Sequence, residues 1–350
     1  MKKILFTGGG SAGHVIPNLA LIEELLSQGK TDVCYMGSEG IEKSLLAGKN
    51  IPYYTLACPK LIRGKNLAAL TNNLRIPCAF HRAVKEAERG LRLFQPDLVF
   101  SKGGYVSLPV IFAANKLGIP CLAHESDFSP GLANKLSAKK CRTVLTAFPE
   151  TAKRFKNGKY GGAPIRRSVL SARREDARKA LDVPANAKVL LIFGGGSGSQ
   201  AVNEALRNAL HSLTKSYFIL HVCGKGNVVE CHFNNYRQYE FIADMGTMYA
   251  SADLVISRAG AGAIFELLAL KKPSILIPLE GATRGDQWEN AEYFRAKGLC
   301  RVLPQNNLSY LEEEIRLAFA DRELQKRLLE SSYTAGNSRI LKEISSFLYE

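Results

Sequence analysis

The chain has 350 residues, 46% of them hydrophobic, and a formal net charge of +15. This length and apolar content suffice for two α/β domains and exclude an intrinsically disordered chain. No apolar run approaches the roughly 18 residues that a membrane span needs, and the sequence enters its first strand at once. These features predict a cytoplasmic protein that meets a membrane only from its surface.

The positive charge is concentrated in the first half. Residues 1–180 carry 29 Lys and Arg against 13 Asp and Glu, whereas residues 181–350 carry 18 against 19. Residues 60–94 mix basic with apolar side chains, a pattern typical of a surface that binds anionic lipid. A solvated helix face with its apolar side in the core explains the same pattern. Nucleic acid is not expected, because no nucleic-acid-binding motif accompanies the charge.

The eight cysteines are dispersed and form neither a C-x-x-C pair nor a metal-ligand spacing. They therefore predict free, buried thiols in a reducing compartment, and no metal site.

Short apolar runs alternate with helical periodicity, which predicts parallel sheets covered by helices. In the first half, strands are expected near 2–7, 32–36, 97–101, 119–124 and 142–147, with helices near 17–27, 68–93 and 107–117. In the second half, strands are expected near 188–193, 217–223, 238–242, 253–257 and 274–278, with helices near 199–213, 261–270, 286–297 and 308–320. Glycines and a proline at 160–164 mark the seam, and residues 322–349 are expected to be helical.

Both halves open with the same unit of strand, glycine loop and helix. Residues 4–14 are ILFTGGGSAGH, and residues 189–198 are VLLIFGGGSG. Such a unit binds anions through backbone N–H groups and the helix dipole. Two Rossmann-like domains with such sites facing each other across a cleft suit an enzyme that joins two phosphate-bearing substrates.

Residues 8–13 also satisfy G-x-G-x-x-G, so an NAD-dependent oxidoreductase is an alternative. That function needs an acidic residue at the end of the second strand, where only the late Glu39 is available. His14 fits a dehydrogenase fingerprint poorly; it lies at a helix start, beside any anion that the loop holds, or serves only as a cap.

Residues 253–266 form a further strand, glycine loop and helix. Arg258 is placed to offset a diphosphate charge, and Glu266 to accept both ribose hydroxyls; a simple helix-dipole carboxylate is the other interpretation of Glu266. The polar cluster at 286–290 suits sugar hydroxyls, since capping alone would use only Asp286.

Six segments in order resemble the MurG family, GT-B glycosyltransferases of family 28 that add N-acetylglucosamine to the lipid-linked peptidoglycan precursor. They are GGGSAGHVIP at 8–17, FSKGGYVSLP at 100–109, HESDFSPGLANK at 124–135, GGGSGSQAVN at 194–203, SRAGAGAIFE at 257–266 and DQWENA at 286–291. Ser126 and Asp127 stand where the family has Gln and Asn, Gly196 where it has Ser, and Asp286 where it has Gln.

The resemblance implies a GT-B fold with an acceptor domain at 1–163 and a UDP-GlcNAc domain at 164–334, and a terminal helix at about 335–350 that packs on the first domain. It implies inverting transfer of GlcNAc to the C4 hydroxyl of MurNAc in lipid I, giving lipid II for peptidoglycan synthesis. Another GT-B transferase that moves a UDP-sugar to a glycolipid, and a UDP-GlcNAc 2-epimerase, are the alternatives within this fold.

The resemblance also implies roles for individual residues. Ile242 would meet uracil, Glu266 the ribose, and Gln287 the sugar. The donor set is Ser11, Ala12, Gly13, Asp127, Arg166, Gly196, Ser197, Ile242, Arg258, Ala261, Gly262, Ala263, Ile264, Phe265, Glu266, Asp286, Gln287 and Asn290. The set for the acceptor diphosphate is Gly10, Gly13, His14, Gly103, Gly104 and Tyr105.

His14 is the first candidate for the base, and Glu125 and Asp127 are its rivals. Neither a metal nor another cofactor is expected, since the helix N-terminus at 261–266 and Arg258 meet the charge of the leaving UDP. The expected partners are UDP-GlcNAc, undecaprenyl-linked lipid I, the anionic inner face of the cell membrane and other cell-wall synthesis proteins.

Overall fold

The computed structural model describes residues 1–59, 73–74, 76–196, 198–281 and 285–349. The chain divides into two compact units, which are residues 1–166 with 336–350, and residues 167–335. Each unit contains one parallel sheet with helices packed against it. The predicted class, two Rossmann-like α/β domains, is confirmed.

In the first unit, seven described strands form a sheet in the order β3-β2-β1-β4-β5-β6-β7. Their bounds are β1 Lys2–Thr7, β2 Thr31–Gly37, β3 Tyr53–Thr55, β4 Leu98–Ser101, β5 Cys121–Glu125, β6 Thr143–Thr146 and β7 Gly158–Tyr160. Ile4 and Phe6 enter the core on one face, and Leu5 enters the core on the other. The strands are continuously apolar because both faces of a parallel sheet are covered.

The helices of the first unit follow its strands. They are α1 Ala12–Ser27, α2 Ile41–Leu46, α3 Ile76–Phe94, α4 Ser107–Lys116, α5 Leu132–Ser137, a 3₁₀ turn Ala138–Lys140 and α6 Pro149–Ala152. Helix α1 starts five residues before its predicted position and continues through Pro17. Proline removes the donor to the carbonyl of Gly13, and Gly13 is solvent-exposed, which makes the loss of this bond less costly. Residues 68–72 and 75 of the helix predicted near 68–93 lie outside the described residues.

The second unit has a six-stranded parallel sheet in the order β10-β9-β8-β11-β12-β13. Its strands are β8 Val189–Phe193, β9 Phe218–Val222, β10 Tyr236–Tyr239, β11 Leu254–Arg258, β12 Ser274–Ile277 and β13 Arg301–Val302. Its helices are α7 Arg167–Ser171, α8 Arg174–Ala180, α9 Gln200–Leu213, α10 Met245–Ser251, α11 Ala261–Ala269, α12 Asp286–Ala296, a 3₁₀ turn Gln305–Tyr310, α13 Leu311–Ala320 and α14 Arg322–Glu330. All five residues of β8 are buried.

The prediction of one continuous helix over 322–349 is wrong. Helix α14 ends at Glu330, and α15 Asn337–Tyr349 belongs to the first unit, where Ile340 and Ile344 enter its core. Gly336 donates its N–H to Ala163 O at 2.7 Å, and a Cβ there would lie 2.5 Å from Gly161 O. This close backbone approach admits only glycine and breaks the helical path.

The side chain of Asn337 fixes the start of α15. Its Oδ1 accepts the N–H of Ile165 at 2.8 Å, and its Nδ2 donates to Ile165 O at 3.0 Å. Both backbone groups of a buried residue are therefore satisfied by one amide, as burial requires.

The strands absent from the prediction are β3, β7 and β13, at edges of the sheets and only two or three residues long. Segments this short carry too little periodicity to be recognised. Strand β10 begins at Tyr236, before its predicted start.

All eight cysteines are free thiols, and five of them are buried. Within the described residues, no helix combines the length and the apolar character that crossing a bilayer requires.

Candidate functional site

Three loops of the first unit lie together at the carboxyl ends of adjacent strands. They are the first loop, residues 8–14 after β1; the Gly-Gly-Tyr loop, residues 102–107 after β4; and the Glu-Asp loop, residues 125–131 after β5. Gly9 N–H donates to Gly103 O at 3.4 Å, and Lys102 N–H donates to Thr7 O at 2.9 Å. In parallel sheets this edge is where ligands bind.

Gly104 allows the first loop and the Gly-Gly-Tyr loop to touch. Its φ is +82°, in the left-handed region, and an added Cβ would lie 2.2 Å from Gly9 O. Next to it, the ring of Tyr105 covers Gly10, where an added Cβ would lie 2.7 Å from Tyr105 Cε1. The predicted acceptor residues Gly10, Gly103, Gly104 and Tyr105 are thus brought together by backbone contact.

His14 lies in the first turn of α1, where its ring is half-buried. Its Nδ1 lies 3.0 Å from Ser11 Oγ. Burial, reinforced by the charge of Lys102, lowers the pKa of His14 to about 4, although Asp127 and Glu42 oppose the shift. The imidazole is consequently neutral at neutral pH and can accept a proton.

The N-terminus of α1 has no side-chain cap, because Ser11 at the N-cap turns its hydroxyl to His14. The first backbone N–H groups of a helix have no acceptor within the helix. Ala12 and Gly13 therefore present amides and the positive end of the helix dipole to an anion.

Lys102, the first residue of the Gly-Gly-Tyr loop, is a buried cation to which the sequence analysis gave no individual role. Its side chain is 1% exposed, and its Nζ donates a short hydrogen bond to Ser126 Oγ. Burial lowers the pKa of Lys102 to about 8, while Glu125 and Asp127 oppose the shift. Its position directly before two glycines was the only signal in the sequence.

The carboxylate of Glu125 is used to hold the Glu-Asp loop. It accepts the N–H of Asp127 at 2.9 Å and of Gly131 at 2.7 Å, and Asn134 Nδ2 at 3.0 Å. The residue is 4% exposed. Because it is buried and accepts three hydrogen bonds, this carboxylate is poorly placed to act as a base. Asp127 is half-buried and is therefore more accessible than Glu125.

Glu42 of α2 is a second framework carboxylate, which the sequence analysis missed. It is fully buried, and it accepts the N–H of Gly10 at 3.3 Å and of Ser38 at 2.9 Å. The dinucleotide alternative relied on Glu39, which is instead exposed and paired with Lys43 at 2.7 Å. The end of β2 therefore does not present an acid that could bind the ribose of a dinucleotide held by the first loop.

In the second unit, the N-terminus of α11 follows β11 without a side-chain cap. A Cβ added at Gly260 or Gly262 would meet no atom within 4 Å, so open space lies over the first turn. The amides of Ala261, Gly262 and Ala263 come before the first helical hydrogen bond, which Ile264 N–H donates to Gly260 O at 3.1 Å.

This bond reduces the number of predicted residues whose amides can bind a diphosphate. The amide of Ile264 already has an acceptor, and the side chain of Phe265 is buried against Phe294, with ring centroids 5.5 Å apart. Three amides at the start of α11, rather than five, are placed to meet an anion.

Arg258 ties loops together. Its guanidinium donates to Ser199 Oγ at 2.7 Å and to the carbonyl oxygens of Ile277 and Pro278 at 3.3 Å each. Burial lowers its pKa. These bonds connect the ends of β11 and β12 to the N-cap of α9, which is a framework role.

Glu266 lies in the second turn of α11, half-buried. Its Oε2 accepts the hydroxyl of Tyr249 at 2.9 Å. A carboxylate one turn beyond an uncapped helix N-terminus combines an anion site with an acceptor for hydroxyl groups.

The polar residues at the start of α12 make different contacts. Gln287 Oε1 accepts Leu279 N–H at 2.9 Å, which leaves its amide nitrogen as the donor end. Asn290 is fully buried, and its Nδ2 donates to Ala259 O at 3.4 Å. Asp286, half-buried, is the first residue of the helix.

The remaining predicted donor residues are spread over both units. Ile242 is half-buried in the loop between β10 and α10, and Gly196 is exposed in the loop after β8. Arg166 is the last residue of the first unit's long segment. Ser11, Ala12, Gly13 and Asp127 belong to the first unit. Ser197 lies outside the described residues.

Among the described residues, no group of three or more His, Cys, Asp or Glu is arranged to hold a metal ion.

The fold is shared with solved glycosyltransferases. The crystal structure of Acinetobacter baumannii MurG matches with a TM-score of 0.76 and 27% identity, over 99% of this chain and 100% of that chain. CalG4, the calicheamicin glycosyltransferase, matches with a TM-score of 0.71 over 99% of this chain and 98% of that chain; at 16% identity the likeness shows the fold alone. With the two Rossmann-like sheets described above, these matches define a glycosyltransferase of the GT-B class.

Two family models then place the chain more closely. The glycosyltransferase family 28 N-terminal domain matches residues 4–146, and the glycosyltransferase family 28 C-terminal domain matches residues 189–344. The chain belongs to glycosyltransferase family 28.

Two curated relatives carry the name UDP-N-acetylglucosamine–N-acetylmuramyl-(pentapeptide) pyrophosphoryl-undecaprenol N-acetylglucosamine transferase. The protein of Clostridium perfringens (strain SM101 / Type A) is 45% identical over 314 residues, 88% of this chain and 87% of the relative. That of Clostridium kluyveri is 44% identical over 316 residues, 88% of each chain.

The contact between Gly104 and Gly9 can be tested with a matched pair of variants. Gly104→Ala combines a left-handed backbone with a Cβ 2.2 Å from Gly9 O, whereas Gly118→Ala, at φ +74°, meets no atom within 4 Å. We expect both variants to lose about 1 kcal/mol of unfolding free energy through backbone strain, and Gly104→Ala roughly 2 kcal/mol more through overpacking. Urea denaturation measures both. Equal losses would contradict the close approach of the two loops.

Proposed function

We propose that this chain transfers N-acetylglucosamine from UDP-GlcNAc to the N-acetylmuramyl group of the pyrophosphoryl-undecaprenol acceptor, lipid I. The observation that carries the proposal is the N-terminus of α11, which is uncapped, faces open space and is followed one turn later by the Glu266 carboxylate. The 45% identity to a transferase of this name supports the choice of donor and acceptor.

The proposed donor site uses backbone for charge and side chains for hydroxyl groups. The diphosphate is bound by the amides of Ala261, Gly262 and Ala263, whose dipole favours negative charge. Glu266 accepts the ribose hydroxyls, and the amide nitrogen of Gln287 donates to a sugar hydroxyl. Uracil pairs with the backbone of Ile242.

The proposed acceptor site is the N-terminus of α1 with the Gly-Gly-Tyr loop. The amides of Ala12 and Gly13 bind the acceptor diphosphate, and Tyr105 and Gly104 shape the loop around it. The buried ammonium of Lys102 adds positive charge beneath this site.

The reaction is proposed as a single displacement. The C4 hydroxyl oxygen of the muramyl sugar forms a bond to the anomeric carbon of GlcNAc while the bond to the UDP oxygen breaks, which inverts α to β. UDP leaves with the electron pair, and the hydroxyl proton passes to a ring nitrogen of His14. The amides of α11 stabilise the charge that develops on UDP, so no cofactor is required for this step.

Donor binding tests the assignment of Glu266. Trp288, the single tryptophan, neighbours Gln287 and is 43% exposed, so its fluorescence can report titration with UDP-GlcNAc. We expect Glu266→Gln to raise the Kd for UDP-GlcNAc about tenfold, because a charged acceptor is replaced by a neutral one. Glu313→Gln, an exposed acid on α13, is the matched control and should leave the Kd unchanged.

UDP-GalNAc and NADH are titrated in parallel with the wild-type protein. We expect tighter binding of UDP-GlcNAc than of UDP-GalNAc, and no saturable response to NADH. Binding of NADH alone would refute a transferase, while an unchanged Kd in Glu266→Gln would refute only the ribose contact.

Kinetics test His14 as the base. His14→Ala should lower kcat by about 100-fold, because general-base catalysis is lost, while the donor Kd stays within about twofold. The exposed His211 supplies the control variant His211→Ala, with kcat expected to be unchanged. If kcat survives in His14→Ala, Asp127 becomes the candidate.

The pH profile follows from the same pKa. The base is active when neutral, so kcat/KM should be constant above pH 5 and fall as the pH drops through about 4. Because the charge of Lys102 lowers this pKa, Lys102→Met should move the acid limb to higher pH.

We further propose that the enzyme binds the membrane surface through α3. One face of this helix is buried through Ala83, Ala87 and Leu91, and its other face exposes Arg82, Lys85, Arg89 and Arg92. Leu74 and Leu93, 75% and 72% exposed, add apolar area. Residues 60–72 and 75 of the predicted basic patch lie outside the described residues.

Vesicle sedimentation tests this surface. We expect binding to vesicles of phosphatidylglycerol and phosphatidylethanolamine that weakens with salt, and little binding to phosphatidylcholine. Replacing Arg82, Lys85 and Arg89 by Glu should weaken binding roughly 100-fold, since each basic residue near an anionic surface contributes about 1 kcal/mol. The same reversal at exposed Lys225, Arg322 and Lys326 is the control. Equal effects of the two triple variants would refute α3 as the contact.

A further inference from the structure

Tyr249 is a buried tyrosine whose hydroxyl reaches a functional carboxylate. It lies on α10 and is 1% exposed. Its hydroxyl donates to Glu266 Oε2 at 2.9 Å. The bond joins the helix that precedes β11 to the helix that follows it.

The ring of Tyr249 is fixed by the core. It packs edge-on against Phe193, the last residue of β8, with centroids 5.9 Å apart and an interplanar angle of 64°. Helix α10 is in turn fixed at its start, where Asp244 Oδ1 accepts the N–H of Thr247 at 3.3 Å. Packing therefore fixes the position of the Tyr249 hydroxyl, and its hydrogen bond restricts the Glu266 carboxylate.

The choice of acceptor separates Tyr249 from the other buried tyrosines. Tyr35 donates to the backbone carbonyl of Gly8 at 2.6 Å, and Tyr236 pairs with the buried His221 at 2.7 Å. Both hydroxyls are satisfied inside the protein, as a packing role requires. The hydroxyl of Tyr249 is directed instead to a half-buried carboxylate at the ligand-binding edge of the sheet.

A carboxylate that binds both hydroxyl groups of a vicinal diol must be oriented so that each oxygen faces one hydroxyl. A glutamate side chain rotates about three bonds and loses that freedom on binding. A charge-assisted bond from a phenol to one oxygen restricts the rotation before the ligand arrives and leaves acceptor capacity on both oxygens. Preorganisation of this kind strengthens binding without any contact to the ligand.

We propose that Tyr249 is a positioning residue that orients Glu266 toward the two ribose hydroxyls of the donor nucleotide. This inference rests on the proposed function, in which Glu266 binds the ribose. It adds a residue that never touches the donor yet determines how strongly the ribose is recognised.

The test compares UDP with 2′,3′-dideoxyuridine diphosphate, which lacks both hydroxyls, by calorimetric titration of the full chain. Tyr249→Phe keeps the ring and removes the hydroxyl that donates to Glu266. We expect it to weaken UDP binding about fivefold and dideoxy-UDP binding less than about twofold. Tyr236→Phe, which removes a buried hydroxyl elsewhere in the same unit, should leave the ratio of the two affinities unchanged. Thermal unfolding of each variant verifies the fold.

A merely structural role predicts a different pattern. Equal weakening of both ligands by Tyr249→Phe, or no weakening of either, would overturn the inference. In Glu266→Gln, the added Tyr249→Phe change should have no further effect on the ratio.

The same data separate this inference from the proposed function. If Glu266→Gln lowers the UDP preference and Tyr249→Phe does not, the role of Tyr249 fails and the ribose contact stands. If the wild-type protein binds both ligands equally, the ribose contact fails, and the inference fails with it.

Discussion

Burial of parallel strands on both faces is the constraint on which the rest of the structure depends. Every backbone group in a strand such as β8, whose five residues are all buried, must pair within the sheet. Helices connect successive strands across the faces of each sheet, so the described strands all pair in parallel, and their carboxyl ends bring the loops together at one edge. In the first unit the loops after β1, β4 and β5 touch because these strands are neighbours. In the second unit the guanidinium of Arg258 connects the ends of the neighbouring strands β11 and β12 to the N-cap of α9.

The polar residues at these edges divide into those that build loops and those that remain available to a ligand. Glu125 and Glu42 are buried, and each accepts backbone N–H groups from the loops around it. A buried carboxylate is stable only when its oxygens accept hydrogen bonds, and the oxygens of these two acids accept them from the loops. In the proposed function, the amides at the starts of α1 and α11 bind diphosphate groups and Glu266 binds ribose hydroxyls. The proposed anion contacts of each unit are therefore mainly backbone amides.

The sequence predicted the elements that have strong local signals. The central strands and the glycine loops are specified by apolar runs and by residues such as Gly104, and they were placed correctly, as was the helix after each glycine loop except for the start of α1. The resemblance implied a separate terminal helix at about 335–350, but the apolar periodicity did not locate the helix break at 331–336, which depends on the approach of Gly336 to Gly161. The sequence named most of the residues at the two edges, but it could not separate framework from ligand roles. Whether Arg258 meets a diphosphate or three protein oxygens depends on contacts 19 to 59 residues away.

The electrostatics around His14 fit the proton transfer proposed above. Burial and Lys102 keep the imidazole neutral, and Asp127 and Glu42 only partly oppose them. A base with a pKa of about 4 is weak, yet the attacking oxygen becomes strongly acidic as its bond to the anomeric carbon forms. A weak base is then sufficient, provided that it is neutral and correctly turned. For Nε2 to take the proton, Nδ1 must carry its hydrogen and donate it to Ser11 Oγ, 3.0 Å away. In that arrangement the serine at the N-cap of α1 accepts the hydrogen of Nδ1 and leaves the helix amides to the diphosphate.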